Sequence, residues 1–554
     1  MTRTLPAPTT GQPGGAAPVG GPVAAASAAR DGSPGGPAPI ERAPRAALAA
    51  ALAAVFIGAL DLTVIATILP QIILDLGINT ADVDRYIWVV NGYLIAYVVA
   101  IPIVGRLSDL VGRPVAFQLS LAVFLLGSVW CAYADGLGSL IVGRAVQGAG
   151  GGALLPVTMA LVGDLLPRAR RTAAIGLVGA IDTLGWVLGP IWGAVLVGLV
   201  STSDPWRWVF WVNVPLGLAA AVAIALTTRG LPRVTVTSRT GLRRLDVLGT
   251  LLLAATLVPL NLALSSGGEL GGALEQGTRA LGGTENPLAG FVWPLLGGAI
   301  AAGAGFLLRE RRASVPVLPL SLFRRRRFGA ALTANFLVGA ALIVAMVDVP
   351  LVVALLVASD RVSAISALML APFTLLMAVL SFLGGVLTGR LGERGTAAMG
   401  LVLVAVGYAA IWLGLGDDRY PWMIPGLILS GAGFGMVIAP LGATVLDAVP
   451  AGERGIAAGL TIVFRLLGMT IGISGLTAAG VNRLQALTGR LDPVVQAAGE
   501  STADFFIRQQ RFVEDFAIPL SIQVVRETFL AAAVLALVAL IPVRLLRDDG
   551  GDEI

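Results

Sequence analysis

The sequence predicts an all-α membrane protein, with fourteen transmembrane helices arranged as two parallel six-helix repeats plus two inserted helices. Three observations carry this expectation. Of 554 residues, 56% are hydrophobic and 13% charged, about half the charged share of a soluble domain, too few to cover a water-soluble surface of this size. The apolar residues come in runs of about 20, the length that spans a bilayer. The chain also repeats itself: Pro70, Gly105, Pro167 and Gly176 recur in the same order and at nearly constant separation as Pro350, Gly385, Pro450 and Gly459.

Residues 1–45 are rich in Gly, Pro, Ala and Ser without an apolar run, the composition of a disordered tail rather than of a cleaved signal. Fourteen apolar spans follow, at 46–70, 86–105, 114–134, 138–163, 172–199, 208–228, 246–265, 288–308, 328–357, 362–388, 396–416, 421–446, 454–480 and 525–545. Hydrocarbon forbids unpaired backbone, so each is expected to be a helix. The chain then divides into a tail (1–45), an N-terminal six-helix bundle (46–228), a linker with two inserted spans (229–327), a C-terminal six-helix bundle (328–545) and a second tail (546–554). The segment 481–524 mixes apolar and charged residues at roughly helical spacing and reads as an outer helical extension of the last spans.

Charge sets the orientation. All 38 basic residues are arginine; with both termini inside, 26 fall in cytoplasmic segments and ten outside, five of those ten in the long outer insert. This is a positive-inside pattern. The net charge of +5 therefore reads as membrane orientation and not as a nucleic-acid surface. The strip 309–327, with seven arginines, is expected beside anionic headgroups.

The repeat extends to motifs. Gly148-Ala-Gly-Gly-Gly152 is echoed by Gly431-Ala-Gly-Phe-Gly435, and the loop Gly105 to Arg113 by Gly385 to Arg394. Spans 1–6 match spans 9–14, and both copies start on the same side, as in transporters built from parallel halves. The loop Gly105, Arg106, Asp109, Gly112 and Arg113 resembles the signature between helices 2 and 3 of the major facilitator superfamily. Arg144-Ala-Val-Gln-Gly148 resembles the helix-4 motif of its drug–proton antiporters, and Gly185, Gly189, Pro190 and Gly193 their helix-5 motif. Leu60-Asp61-Leu-Thr-Val64 resembles helix 1 of the fourteen-helix drug–proton antiporter subfamily. The chain is also similar to the mycobacterial triacylglyceride exporters of that subfamily, which carry an acid in helix 1, an acid–arginine pair between the halves and a long outer extension before the last helix.

Ionisable residues inside spans are costly and mark function. Asp61, Arg144, Asp182, Asp348 and Arg465 are such residues. A buried carboxyl binds and releases a proton nearer neutral pH than an exposed one, so Asp61, Asp182 and Asp348, with Arg144 as modulator, are the expected proton-coupling groups; the alternatives are a static hydrogen bond for Asp61 and Arg144, a static salt bridge or another partner for Asp182, and an outer-end position beside Pro350 for Asp348. Asp182 and Arg465 are separated by the same stretch of chain as Pro167 and Pro450, or Gly176 and Gly459. They are therefore expected to face each other as an ion pair between the bundles and to latch one access state. Asp109 is expected at the N-terminus of a helix in the facing half, where the dipole favours an anion, with Arg106 and Arg113 adding ion pairs. Gly389 replaces this acid in the second copy, so the lock is expected on one side only. Gly185, Gly189, Pro190 and Gly193 are expected to permit a bend at the interface between the halves.

The absence of His and Lys and the single Cys131 exclude His-based catalysis, cysteine metal clusters and disulfides within the chain. Gly148 to Gly152 lacks the Lys and Ser/Thr of a phosphate-binding loop. The resulting expectation is a non-enzymatic, proton-coupled antiporter in a bacterial cytoplasmic membrane, without cofactor or metal, exporting lipophilic drugs or other amphiphiles by alternating access. The alternative is a dedicated lipid exporter that works with an outer lipoprotein carrier.

Overall fold

A computed structural model describes residues 39–76, 83–200, 202, 204–228, 246–267, 289–357, 361–416, 420–489 and 501–546. Ala43–Ile554 form one compact unit and Met1–Arg42 a separate one. The expected disordered tail falls almost wholly outside the described residues, as do most of the linker between spans 6 and 7 and the end of the second tail.

The described residues form helices and short turns, with no strand among them. The first half consists of α1 (Pro39–Asp75), α2 (Val83–Val111), α3 (Arg113–Ala132), α4 (Leu137–Leu165), α5 (Arg168–Leu199) and α6 (Arg207–Thr227). The inserted pair is α7 (Val247–Gly267) and α8 (Val292–Glu310). The second half begins with α9 (Arg326–Leu356) and one continuous helix, Val362–Gly414. That helix contains two expected spans and breaks at Gly392, where φ is 72°, into α10 (362–391) and α11 (393–414). Gly112, the counterpart of Gly392 in the first repeat, has φ 93° and makes the same turn between α2 and α3. A left-handed backbone is cheap only for glycine, so the repeated loop needs glycine at both places. α12 (Met423–Asp447), α13 (Arg454–Thr488) and α14 (Ile518–Val538) complete the half.

Twelve helical stretches are long and apolar enough to cross a membrane; Ala364–Gly414 holds two crossings, and the shorter apolar stretch Val247–Ala263 adds α7. The described helices thus supply fourteen spans. Burial sorts them: 83% of the α4 span is buried against 11% of the α8 span, which puts α4 at the centre of its bundle and α8 at its periphery. Close approach explains the α4 glycines. Side chains at Gly148 and Gly152 would strike the backbone of α2 at Tyr93 and Tyr97, and one at Gly150 the backbone of α3 at Phe124. Gly431, Gly433 and Gly435 do the same for α12 against α10 and α11.

The inserted helices are stapled at the arginine-rich face. Arg309 on α8 grips Asp246, just before α7, through both carboxylate oxygens at 2.9 to 3.2 Å. Glu310 accepts the backbone N–H groups of Val317 and Leu318, both at 3.2 Å. α7 rests on α2 and α13, one helix from each half.

Beyond α13 the insert is helical where described. α13 has 35 residues, about 52 Å at 1.5 Å per residue, well over the ~30 Å hydrocarbon thickness. A further helix follows at Thr502–Phe512, capped by Ser501, whose Oγ accepts the N–H of Asp504. A π-turn at Val513–Ala517 joins it to α14.

Candidate functional site

The polar centre of the first half is built on α1 and α4. α4 carries Arg144 and Gln147 one turn apart, on one helix face. Asp61 of α1 and Arg144 are both fully buried, and Nη1 of Arg144 lies 2.7 Å from Oδ2 of Asp61. Gln147 Nε2 and Asn213 Nδ2 of α6 donate to Asp61 Oδ1 at 2.9 and 2.7 Å. Gln147 also donates to Ser128 Oγ of α3 at 2.7 Å and accepts from Arg144 Nη1 at 2.7 Å. Five helices therefore meet in this cluster, since the Tyr93 ring of α2 covers the guanidinium at 4.1 Å. Among the described residues, Nε and Nη2 of Arg144 have no hydrogen-bond partner. Arg144 is thus held mainly through Asp61. Breaking a buried pair of this kind costs about 3–5 kcal/mol, because it strands the remaining charge.

A second charged pair lies beyond this cluster. Tyr93 donates to Gly58 O at 3.3 Å and stacks on Tyr97, one turn along α2, with ring centroids 5.9 Å apart and planes at 25°. The charges that act on Tyr97 are those of Asp182 and Arg465. Asp182 on α5 and Arg465 on α13 are half-buried, and Arg465 is the charge acting on Asp182. The expected direct ion pair is not formed: among the described residues Asp182 and Arg465 are coupled through their fields without a salt-bridge contact. Both side chains stay partly accessible, and a charge that is not fully desolvated is not obliged to contact its partner.

The halves are joined at the arginine-rich face. Asp109 accepts the backbone N–H of Gly455 at 2.8 Å and of Ile456 at 2.9 Å, at the first turn of α13, and pairs with Arg113. Arg113 donates to Ala451 O at 2.9 Å and to Asp164 at 3.0 Å. Arg106 makes no ion pair with Asp109; it lies in the field of Glu310, at the end of α8. That corrects its expected role: both oxygens of Asp109 are already taken by Arg113 and the two α13 N–H groups.

Beyond the Asp109 contacts, which have no counterpart at Gly389, ion pairs close both seams. Arg454 at the start of α13 pairs with Asp164 at the end of α4, 2.9 Å away, and Arg171 at the start of α5 pairs with Asp447 at the end of α12. Arg168 adds a contact to Asp447 at 3.1 Å. Asp164 maps onto Asp447, and Arg171 onto Arg454, by the same shift along the chain that relates Pro167 to Pro450. The backbone contacts repeat as well. Gly459 packs on Ile101, and Gly176 on Ser381; Gly455 meets Gly105, and Gly385 meets Thr172. Ser381 Oγ donates to Gly176 O at 2.9 Å. Two related seams, α2 with α13 and α5 with α10, close this face together.

Two further expectations change place. Gly185, Gly189 and Gly193 pack on α1 inside the first half, not between the halves. A Cβ at Gly185 would lie 2.5 Å from Ala59 Cβ, and one at Gly189 2.6 Å from Leu60 O. Pro190 sits within the same stretch of α5. Asp348, on α9, is buried in the second half, where Thr528 of α14 donates to it, away from the Asp61 cluster. Asn213, Ser128, Tyr93, Tyr97 and the four lock residues carry no intramembrane charge that would single them out. For the lock residues the constant shift between the repeats is a usable signal.

Comparison with known proteins bears on the family and the fold. Residues 51–473 match the family described as Major Facilitator Superfamily. A triacylglyceride transporter of Mycolicibacterium hassiacum is 40% identical over 440 residues, covering 78% of each chain. One of Mycobacterium tuberculosis is 36% identical over 465 residues, covering 81% of this chain and 85% of that protein. Among solved structures, the human organic anion transporter MFSD10 aligns with a TM-score of 0.56 at 18% identity, over 91% of this chain and 99% of that one. The proton:xylose symporter XylE aligns at 0.52 and 14% identity, over 89% and 95%; at such identities these two speak for the fold alone. Matched over most of its length, the chain belongs to the Major Facilitator Superfamily and is a multi-pass membrane transporter, not an enzyme.

Proposed function

We propose that this transporter exports an apolar lipid, of the triacylglyceride class named in its relatives, from a bacterial cytoplasmic membrane, and that proton binding at Asp61 and Asp182 drives its alternating access. The arginine-rich face is cytoplasmic in this reading, so the state described is closed toward the cytoplasm. The observation that carries the proton coupling is the Asp61–Arg144 pair. A proton on Asp61 neutralises the acid that holds Arg144 and leaves a buried guanidinium to find a new partner. Tyr93 and Tyr97 lie between that event and the Asp182–Arg465 pair at the seam, where the halves move. Coulomb coupling inside a protein is stronger than in bulk water, so direct contact is not required for Asp182 and Arg465 to sense each other.

Lipid rather than drug export is supported by the relatives and by the outer extension. Phe506, Ile507, Val513 and Phe516 there are 43 to 60% exposed, beyond the spans, where an apolar cargo or a lipid-binding carrier is the partner they suit. The test is lipid analysis of cells expressing wild type or Asp61→Asn, with and without an uncoupler. Wild type is expected to export neutral lipid only when the gradient is intact, and Asp61→Asn not at all. Export that persists in the uncoupled cells refutes the coupling; dye efflux without lipid export refutes the cargo.

A further inference from the structure

A cavity of about 260 Å³ lies between α9, α13 and α14, wholly inside the second half and apart from the seam between the halves. Along α9 it runs from Ile343 to Leu355, and along α13 from Ile473 to Leu484. At 1.5 Å per residue it is about 16–18 Å long. One leaflet of a bilayer has about half of the ~30 Å hydrocarbon thickness, so the cavity has the length of a single leaflet's acyl chain and is too narrow for a bundle of them.

Its lining fixes the chemistry. Eleven of its sixteen lining residues are Ile, Leu or Val, and none is basic. Asp348 is the one ionisable group among them, and Thr528 donates to it. Ser521 Oγ is turned back to Ala517 O at 2.7 Å. Asp348, Thr528 and Ser521 are thus engaged with protein partners, and Thr477 is the remaining polar side chain in an otherwise aliphatic wall. A phosphate has no cation to meet and an anion to avoid. The outer end, at Leu355, Leu484 and Ser521, reaches the base of the outer helical extension, one turn before α13 ends at Thr488.

We infer that this cavity binds one fatty acyl chain of a lipid without an anionic headgroup. For the identity of that lipid with the exported cargo, this rests on the lipid-export reading; occupancy of the cavity does not. The site holds one chain of a neutral glycerolipid in the second half while the remainder of the molecule stays at the outer mouth. Apolar burial supplies the affinity, and the absence of a cation supplies the discrimination against phospholipid.

The experiment uses the full chain in nanodiscs and a triacylglycerol carrying a photoactivatable diazirine in one acyl chain, with crosslinked peptides mapped by mass spectrometry. Crosslinks are expected within 343–355, 473–484 and 521–528. Val347→Phe and Thr477→Phe fill the cavity from different helices, and each is expected to lower labelling roughly tenfold, the factor that a modest overpacking penalty gives; Val347→Ala is expected to keep it. A phosphatidylglycerol probe with the same chain is expected to label weakly. Unchanged labelling in both filled variants, crosslinks confined to the seam, or equal labelling by the phospholipid overturns the inference. Labelling of the cavity in a protein that exports no lipid removes the export reading and leaves the site; export with an unlabelled cavity does the reverse.

Discussion

The two ion pairs that close the arginine-rich face are related by the repeat but are not equal, and their inequality can be measured. The Arg171–Asp447 side chains are 10% and 6% exposed, and Arg454–Asp164 18% and 30%. Breaking a buried pair costs about 3–5 kcal/mol, and an exposed one about 0–1 kcal/mol. Both contacts of Asp447 cross between the halves, whereas Asp164 also holds Arg113 within its own half. Asp447→Ala is therefore expected to shift the equilibrium away from the closed face by at least about 3 kcal/mol, roughly a hundredfold, and Asp164→Ala by at most about fivefold. Ser381 is fully buried against Gly176 at the second seam, and the single native cysteine, Cys131, is buried elsewhere. The alkylation rate of Ser381→Cys by a permeant maleimide thus reports opening of this face. Equal acceleration by the two substitutions, or none by Asp447→Ala, refutes the argument from burial.

Gly105→Val is expected to prevent the same closure, because a Cβ there would lie 2.6 Å from Gly455 O; Gly389→Ala, in the equivalent loop with open space around it, is expected to leave the alkylation rate unchanged. Asp61→Asn is expected to lower the melting temperature by leaving Arg144 uncompensated, at a cost of about 3–5 kcal/mol, and Asp61→Asn with Arg144→Gln to recover it while export stays lost. A double variant as unstable as the single one refutes the pairing as the source of the penalty. Phe506→Ser with Ile507→Ser, both exposed on the outer helix, is expected to leave the melting temperature within the range of ordinary surface changes, about 0.5 kcal/mol, and to reduce lipid export several-fold.

The spans and the repeat are legible because both are written in composition and spacing. The break at Gly392 is less so: the apolar pattern separates two spans there, but the helix runs on through the loop with a single left-handed residue. Asp61 and Arg144 stand out as intramembrane charges, yet their pairing depends on which face of α4 meets α1, and neutral Asn213 and Ser128 complete the cluster without any charge to betray them. The α5 glycines announce a close approach without naming the neighbour, so the sequence points them at the seam when they pack on α1. Asp164, Asp447, Arg171 and Arg454 sit at helix ends, where charge is cheap, and the rule that flags costly intramembrane charges passes over them.

The repeat also separates duplicated features from unduplicated ones. The closing contacts are duplicated: residue pairs at one seam map onto pairs at the other by a nearly constant shift along the chain, which suits the proposed alternating access. The charged cluster is not duplicated. Asp61 corresponds to Ala341 and Arg144 to Leu427, and Tyr408 donates to Ala341 O at 2.9 Å in a core shared with Phe434 and Phe529. An apolar replacement of a buried ion pair is commonly neutral or stabilising, so the second half demonstrates that this fold packs well without the charges. The first half keeps a stranded-charge liability at Arg144 that packing does not demand, and in the proposed coupling its response to one proton is what distinguishes it from the apolar version.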